Sequence, residues 1–203
     1  MEARYPRSGD QKLVQIVDAA LGDATRRSGR WLACRPGCTD CCHGVFAINQ
    51  LDAARLDRGL AELESRDPRR AREVRQRARE SMSRVLPDFP GDRSTGVLGE
   101  DEDSVRRFEN FANDEPCPAL SPETGLCELY EWRPMTCRVF GPPVRSENGL
   151  GVCQLCFQGA SDDEIAACEM VPDPEDLESK LLKKVENSTQ RRGETLVLFC
   201  LAR

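Results

Sequence analysis

The sequence predicts a mainly α-helical domain with few or no strands, folded around loop-rich cysteine segments that a metal organises. Three observations point there. Nine of the eleven cysteines fall into three tight groups: Cys34, Cys38, Cys41 and Cys42; then Cys117, Cys127 and Cys137; then Cys153 and Cys156. Much of the remaining apolar sequence recurs at helical spacing. Residues 116–160, by contrast, hold five cysteines and most of the Pro and Gly of the C-terminal half, a composition of loops.

In chain order, Leu13, Val14, Ile16, Val17, Ala20 and Leu21 give a helix over 10–28, with Gly29 as its stop. The first cysteine group follows, turned at Pro36-Gly37. Gly44–Ile48 is a short apolar run, extended or turning into the next helix. Asn49 suits an N-cap, with Asp52 in the first turn against the helix dipole. Leu51, Ala54, Leu56, Leu60 and Leu63 form that helix's apolar stripe. Asp67-Pro68 ends it and starts another, which runs to Leu86. Residues 87–104, rich in Gly, Asp, Ser and Pro, read as a mobile loop. A short helix over Ser104–Asn113 carries Phe108 and Phe111. Ser161–Met170 is a helix with acidic residues at its start, and Leu177, Leu181, Leu182 and Val185 stripe a last helix. Thr195–Leu201 is a β-like tail or a buried helical turn. The chain is expected to form one domain: helical over 10–86, cysteine-rich loops at 30–48 and 116–160, and C-terminal helices over 161–203.

The start, Met-Glu-Ala-Arg-Tyr-Pro-Arg, has no apolar core of a secretory signal, and the longest apolar run, Thr195–Ala202, is too short to span a bilayer. A soluble cytoplasmic protein is expected, with no membrane partner. In that compartment thiols stay reduced, so clustered cysteines favour a metal over disulfides. The net charge of −6 gives no global basic footprint, so nucleic acid is not an expected partner. The helix after Pro68 is Arg-rich. Glu73/Arg77 and Glu80/Arg84 are spaced for i,i+4 pairs on a solvated face; the alternative is an acidic partner, including the chain's own Glu100–Asp103.

The first group reads Cys34-x3-Cys38-x2-Cys41-Cys42-His43. Three thiols in one short loop with a remote Cys-Pro, here Cys117-Pro118, are typical of iron–sulfur ligation, whereas zinc sites are usually two separated Cys-x2-Cys pairs. Both metals accept four thiolates, so an iron–sulfur cluster, in its four-iron form, and Zn2+ both stay open. Adjacent residues of an extended loop point apart, so Cys41 and Cys42 could serve different centres. Cys153-x2-Cys156, flanked by Gly149, Gly151 and Gly159, completes a site begun by Cys127 and Cys137. Cys168 is a further candidate ligand, and His43 a weaker one. Cys200, within Leu-Val-Leu-Phe-Cys-Leu, reads as core. Arg133 and Arg138 flank Cys137, placed to neutralise thiolates and donate N–H···S bonds; the plain alternative is pairing with a carboxylate such as Glu131. Tyr130 and Trp132 either cover the centre or are ordinary packing.

The strings Cys117-Pro118-Ala119-Leu120 and Cys127-Glu128-Leu129-Tyr130-Glu131-Trp132-Arg133-Pro134-Met135-Thr136-Cys137-Arg138, following a cysteine loop that ends in a double Cys, resemble the CxxCxxCC, or YkgJ-type, family of zinc- or iron-chelating cysteine-cluster proteins. The resemblance covers at least residues 34–156; the three-residue gap between Cys34 and Cys38 is a departure from the pattern. It implies a metal bound by these thiols and no particular reaction. Flagellin lysine methylases are similar over the cysteine motif, which implies an iron–sulfur centre tied to protein modification, although no Gly-rich nucleotide loop follows a strand here. Redox or electron transfer, or a part in protein modification with a protein partner or substrate, is therefore one expectation. A zinc-held interaction protein without catalysis is the other.

Overall fold

The computed structural model describes residues 5–146 and 149–203. Met1–Arg4, part of the stretch read as lacking a leader, lie outside the described residues. Helix α1 (Arg7–Ser28) opens the fold and ends at Gly29, whose N–H caps the Thr25 carbonyl. Helix α2 (Gln50–Arg66) begins as its sequence dictates: the Asn49 side chain accepts from the Leu51 and Asp52 N–H groups, a cap that contributes about 1 kcal/mol. Asp67 then closes α2 and caps α3 (Pro68–Val85) by accepting from the Arg70 N–H.

Helix α2 is the centre of the molecule. Leu56, Leu60 and Leu63 pack against Ala71, Val74 and Ala78 of α3 and against Cys200 and Leu201. Leu51, nearer its start, joins Leu13 and Val17 of α1 and Leu181 and Val185 of α7 (Leu177–Thr189) in a second cluster. The tail combines both alternatives left open by its sequence. Thr195–Leu196 is a strand paired antiparallel with Ala47–Ile48, and Val197–Leu201 is a buried helical turn. A third cluster sets Phe89 edge-on to Phe199 and Phe111, at centroid distances of 4.8 and 6.1 Å. The fold is mainly α; its strands are two or three residues long and pair two by two.

Three expectations change. Residues 87–104 hold a hairpin, Gly91–Asp92 with Val97–Leu98, because Asp92 accepts from the Ser94 N–H and hydroxyl and from the Thr95 hydroxyl, forming a local turn. Gly96 in that turn has φ +73°, and a Cβ there would stand 2.8 Å from the Phe199 ring. The short helix, α4, runs over Glu102–Phe108 and not Ser104–Asn113, with Asp101 as its N-cap. The helix at 161 is Asp162–Ala166, with a full Ser161/Glu164 capping box, and stops well before Met170.

The Arg-rich face of α3 is largely spoken for inside the molecule. Arg77 and Arg70 both pair with Glu128, Arg84 with Glu115 and Arg75 with Glu64, while Glu73 pairs with Arg69 and not Arg77. The acidic run is used locally: Asp101 caps its helix and Asp103 pairs with Arg106.

Candidate metal centre

The first cysteine loop is held at two ends by two different parts of the chain. At its start, the Phe157 N–H donates to the Trp31 carbonyl at 2.8 Å. At its end, the Cys117 N–H donates to the Cys42 carbonyl at 2.8 Å and the Gly44 N–H to the Glu115 carbonyl at 3.0 Å. Between these ties the Cys38 N–H turns back to the Arg35 carbonyl, and Asp40–Cys42 form a 3-10 turn. Cys41 and Cys42 are thus not extended but follow one another in that turn.

Around the end of the loop, Cys117 and Cys127 pack against the α2/α3 core. The Leu120 and Cys127 backbones pair across a tight turn, and the Glu128 N–H donates to the Ala119 carbonyl. Cys137 sits in the single turn α5 (Met135–Arg138). Burial holds the Cys137 thiol well above its usual range, and the neighbouring Cys117, Cys127 and Cys41 add to the effect. Cys117 is pushed up to about 12 by burial and then by Cys127. Cys127 is raised by burial, and Arg133 acts against that rise. Cys41 is raised first by the neighbouring Cys42 thiol and then by burial.

Around the start of the loop, Cys34 Sγ lies 4.0 Å from Cys156 Sγ. Cys156 and Cys168 are buried with Phe157, and Trp31, Leu32, Ala33 and Cys153 pack on them. Partial desolvation pushes the Cys34 thiol up to about 12 although the residue is exposed, with Cys156, Cys153 and Cys38 adding to it. Cys153 is raised by burial, and Cys156 and Asp40 contribute. Gln154 also donates to Asp40, at 3.2 Å. Cys200 is buried in the α2/α3 core, the cluster against which Cys117 and Cys127 also pack. His43 is exposed, its backbone bridged to Pro116. All eleven cysteines are free thiols.

The arginines flanking Cys137 take partners both inside and outside the sequence motif. Arg138 is fully buried; its Nη1 donates to both Asp18 carboxylate oxygens, at 2.8 and 3.0 Å, and its Nη2 to the Glu131 carbonyl. Burial and the nearby Arg133 charge lower its pKa. Its Nε–H is buried without a hydrogen-bond partner among the described residues. Arg133 donates to the Tyr130 carbonyl and stacks on the Tyr130 ring at 3.8 Å. Tyr130 itself is 56% exposed. Trp132 lies against Gly59 of α2, where a Cβ would come within 2.4 Å of it.

A buried ion group supports α5 from below. Arg55 bridges Asp10 of α1 and Asp52 of α2, and all three are at most 2% exposed. The Tyr5 hydroxyl donates to Asp10. The Asp52 carboxylate also accepts from the Met135 N–H, at 3.0 Å, fixing the first residue of the turn that carries Cys137. Sequence reading missed this group; the available signal was a cation, Arg55, set between Leu51 and Leu56 on an apolar stripe.

The donor set suits a soft metal, because thiolate ligands select zinc and iron–sulfur centres. Two thiolates on one tetrahedral zinc, each at about 2.3 Å, stand about 3.8 Å apart. The Cys34–Cys156 separation is close to that value. Among the described residues no group of three or more Cys, His, Asp or Glu is yet drawn into coordinating geometry: the thiols are gathered, not closed. Raised thiol pKa values mean that a metal must displace protons as it binds.

No helix among the described residues is long and apolar enough to cross a membrane. No curated protein and no solved structure matches the chain. A family model described as CxxCxxCC, "Putative zinc- or iron-chelating domain", matches residues 33–157, the span that contains every cysteine but Cys168 and Cys200. With well over half of its length matched, the chain belongs to the CxxCxxCC family of metal-chelating cysteine-cluster domains.

Proposed function

We propose that the protein carries an iron–sulfur centre of the four-iron type and works in electron transfer or as part of a protein-modifying system, with a protein as partner or substrate, in the cytoplasm. The observation that carries this reading is the junction of the double-cysteine loop with the remote Cys117-Pro118, through the Cys117 N–H to the Cys42 carbonyl. A short multi-cysteine loop completed by a distant Cys-Pro is the ligand pattern of such clusters. A bound cluster supplies a one-electron redox couple. The chain's own part is to set Cys117, Cys127 and Cys137 half-buried against its core, to set the Arg133 charge beside Cys127, and to hold the buried Arg138 as the residue after Cys137.

A zinc-held interaction protein is the second reading, favoured by the Cys34–Cys156 separation, which matches two thiolates on one ion. Iron, acid-labile sulfide and zinc per chain, measured after anaerobic purification, decide between them. About four iron and four sulfide per centre, with absorbance near 400 nm, are the expected result. Zinc without sulfide overturns the redox reading.

A further inference from the structure

We propose that the clustered thiols serve two separate four-cysteine centres: an outer one of Cys34, Cys38, Cys153 and Cys156, and an inner one of Cys41, Cys117, Cys127 and Cys137. The proposal rests on the reading that the chain binds metal through its thiols, and adds which thiols share a centre. It differs from the pattern expected from spacing alone, in which Cys153 and Cys156 complete a site with Cys127 and Cys137.

The first loop is the dividing line. Its two ties run to segments far apart in sequence, Phe157 at one end and Glu115 to Cys117 at the other. Cys34 lies beside the first tie and Cys41 beside the second, so one short loop feeds two places. The packing divides in the same way. Trp31, Leu32, Ala33 and Cys153 gather on Cys156, Phe157 and Cys168, while Cys117 and Cys127 pack into the α2/α3 core. Among the described residues, the direct thiol contact between distant segments, Cys34 to Cys156, falls within the outer set. Gly141 forms a wall of that set: its φ is +115°, and a Cβ would stand 2.9 Å from Cys34 Sγ. The chain therefore passes from the inner ligand Cys137 to the outer centre's wall in four residues. Each set has one thiol to spare: Cys42, next to Cys41 in the Asp40–Cys42 turn, and Cys168, packed beside Cys156.

The test uses the full chain, reduced and anaerobic, titrated with cobalt(II) and followed by thiolate-to-cobalt absorbance. The wild type is expected to take up about two equivalents in four-thiolate sites. The Cys34→Ser/Cys153→Ser variant is expected to keep the fold, by circular dichroism, and about half of the cobalt. Cys117→Ser/Cys127→Ser is expected to keep the other half. Cys168→Ala should change neither. The outer variant is decisive even if the inner one fails to fold, because Cys34 is exposed and Cys153 only half-buried. Loss of all cobalt, or of none, from the folded outer variant overturns the partition while leaving metal binding intact. A wild type that binds no cobalt, zinc or iron overturns the underlying reading, and the partition with it.

Discussion

Around Cys117, Cys127 and Cys137 the thiols are backed by helices. The segments that carry them pack into the α2/α3 core, hang from Asp52 through the Met135 N–H, and are gripped from α3 by Arg70 and Arg77 through Glu128. Around Cys34, Cys153 and Cys156 the support is a small apolar cluster under exposed loops, where Val152 and Leu155 remain open to solvent. The same residue type is thus set on two kinds of ground. In the inner region the protein fold prepares the geometry and a metal adds to it. In the outer region little besides the metal is available to order the loops, because few buried contacts hold them.

The largest effect is expected from attacking the inner ground. Asp52→Ala leaves Arg55 buried with one partner fewer and frees the Met135 N–H. Breaking a buried ion pair costs about 3–5 kcal/mol, which lowers Tm by roughly 6–20 °C. Thermal unfolding of the metal-loaded chain checks this, and a shift under about 3 °C would show that the ion group does not support α5. Next is Gly59→Val, which drives a side chain into Trp132. Overpacking of about 1–3 kcal/mol should lower Tm by roughly 2–12 °C and weaken inner metal binding before outer.

Removing the metal sharpens the contrast in the other direction. With a strong chelator, limited proteolysis in residues 30–46 and 149–160 should accelerate roughly tenfold, equivalent to about 1.4 kcal/mol of lost local protection, while cleavage in α2 and α3 stays slow. Equal acceleration everywhere would erase the distinction between the two regions.

Glu178→Gln should have the smallest effect. Burial, and then the Asp52 charge, hold the Glu178 carboxyl above its ordinary value of 4.5. The folded state therefore favours the protonated form. Its stability is greatest below the unfolded-state value and falls as pH rises towards the folded-state value. Glutamine keeps the acceptor for the Asn49 side-chain N–H, which now reaches Glu178 at 2.8 Å. The variant should raise Tm at pH 7 by no more than about 2 °C, with the gain fading in titrations below pH 4.5. A decrease at pH 7 would show that the charged carboxylate is needed there.

Much of the helical frame is legible in the sequence. Helices α1 to α3 combine apolar periodicity with caps that act through neighbouring residues, as Asn49 and Asp67 do. The hairpin at Gly91–Leu98 was not legible, because the features that make it, the Asp92 turn and the fit of Gly96 against Phe199, appear in sequence only as breakers. For the site, spacing reveals which cysteines act in groups. It cannot reveal which remote thiol meets which, since that depends on how the first loop is tied at Trp31 and Cys42. Arg138 shows the same limit: its motif neighbours suggest Glu131 as a partner, yet its carboxylate is Asp18, 120 residues away.

The two ties on the first loop also set an order of events during synthesis. Cys34 leaves the ribosome long before Cys156, its thiol neighbour 122 residues later. At about 5–20 residues per second the wait is roughly 6–24 s. Until Cys117 emerges the early loop has its thiols and none of its distant partners, and Cys34 itself waits the whole interval for Cys156. Neither thiol set can be completed on the nascent chain until its later segment has emerged, and the loop beginning at Cys34 is the part of the protein that spends longest as unprotected thiols.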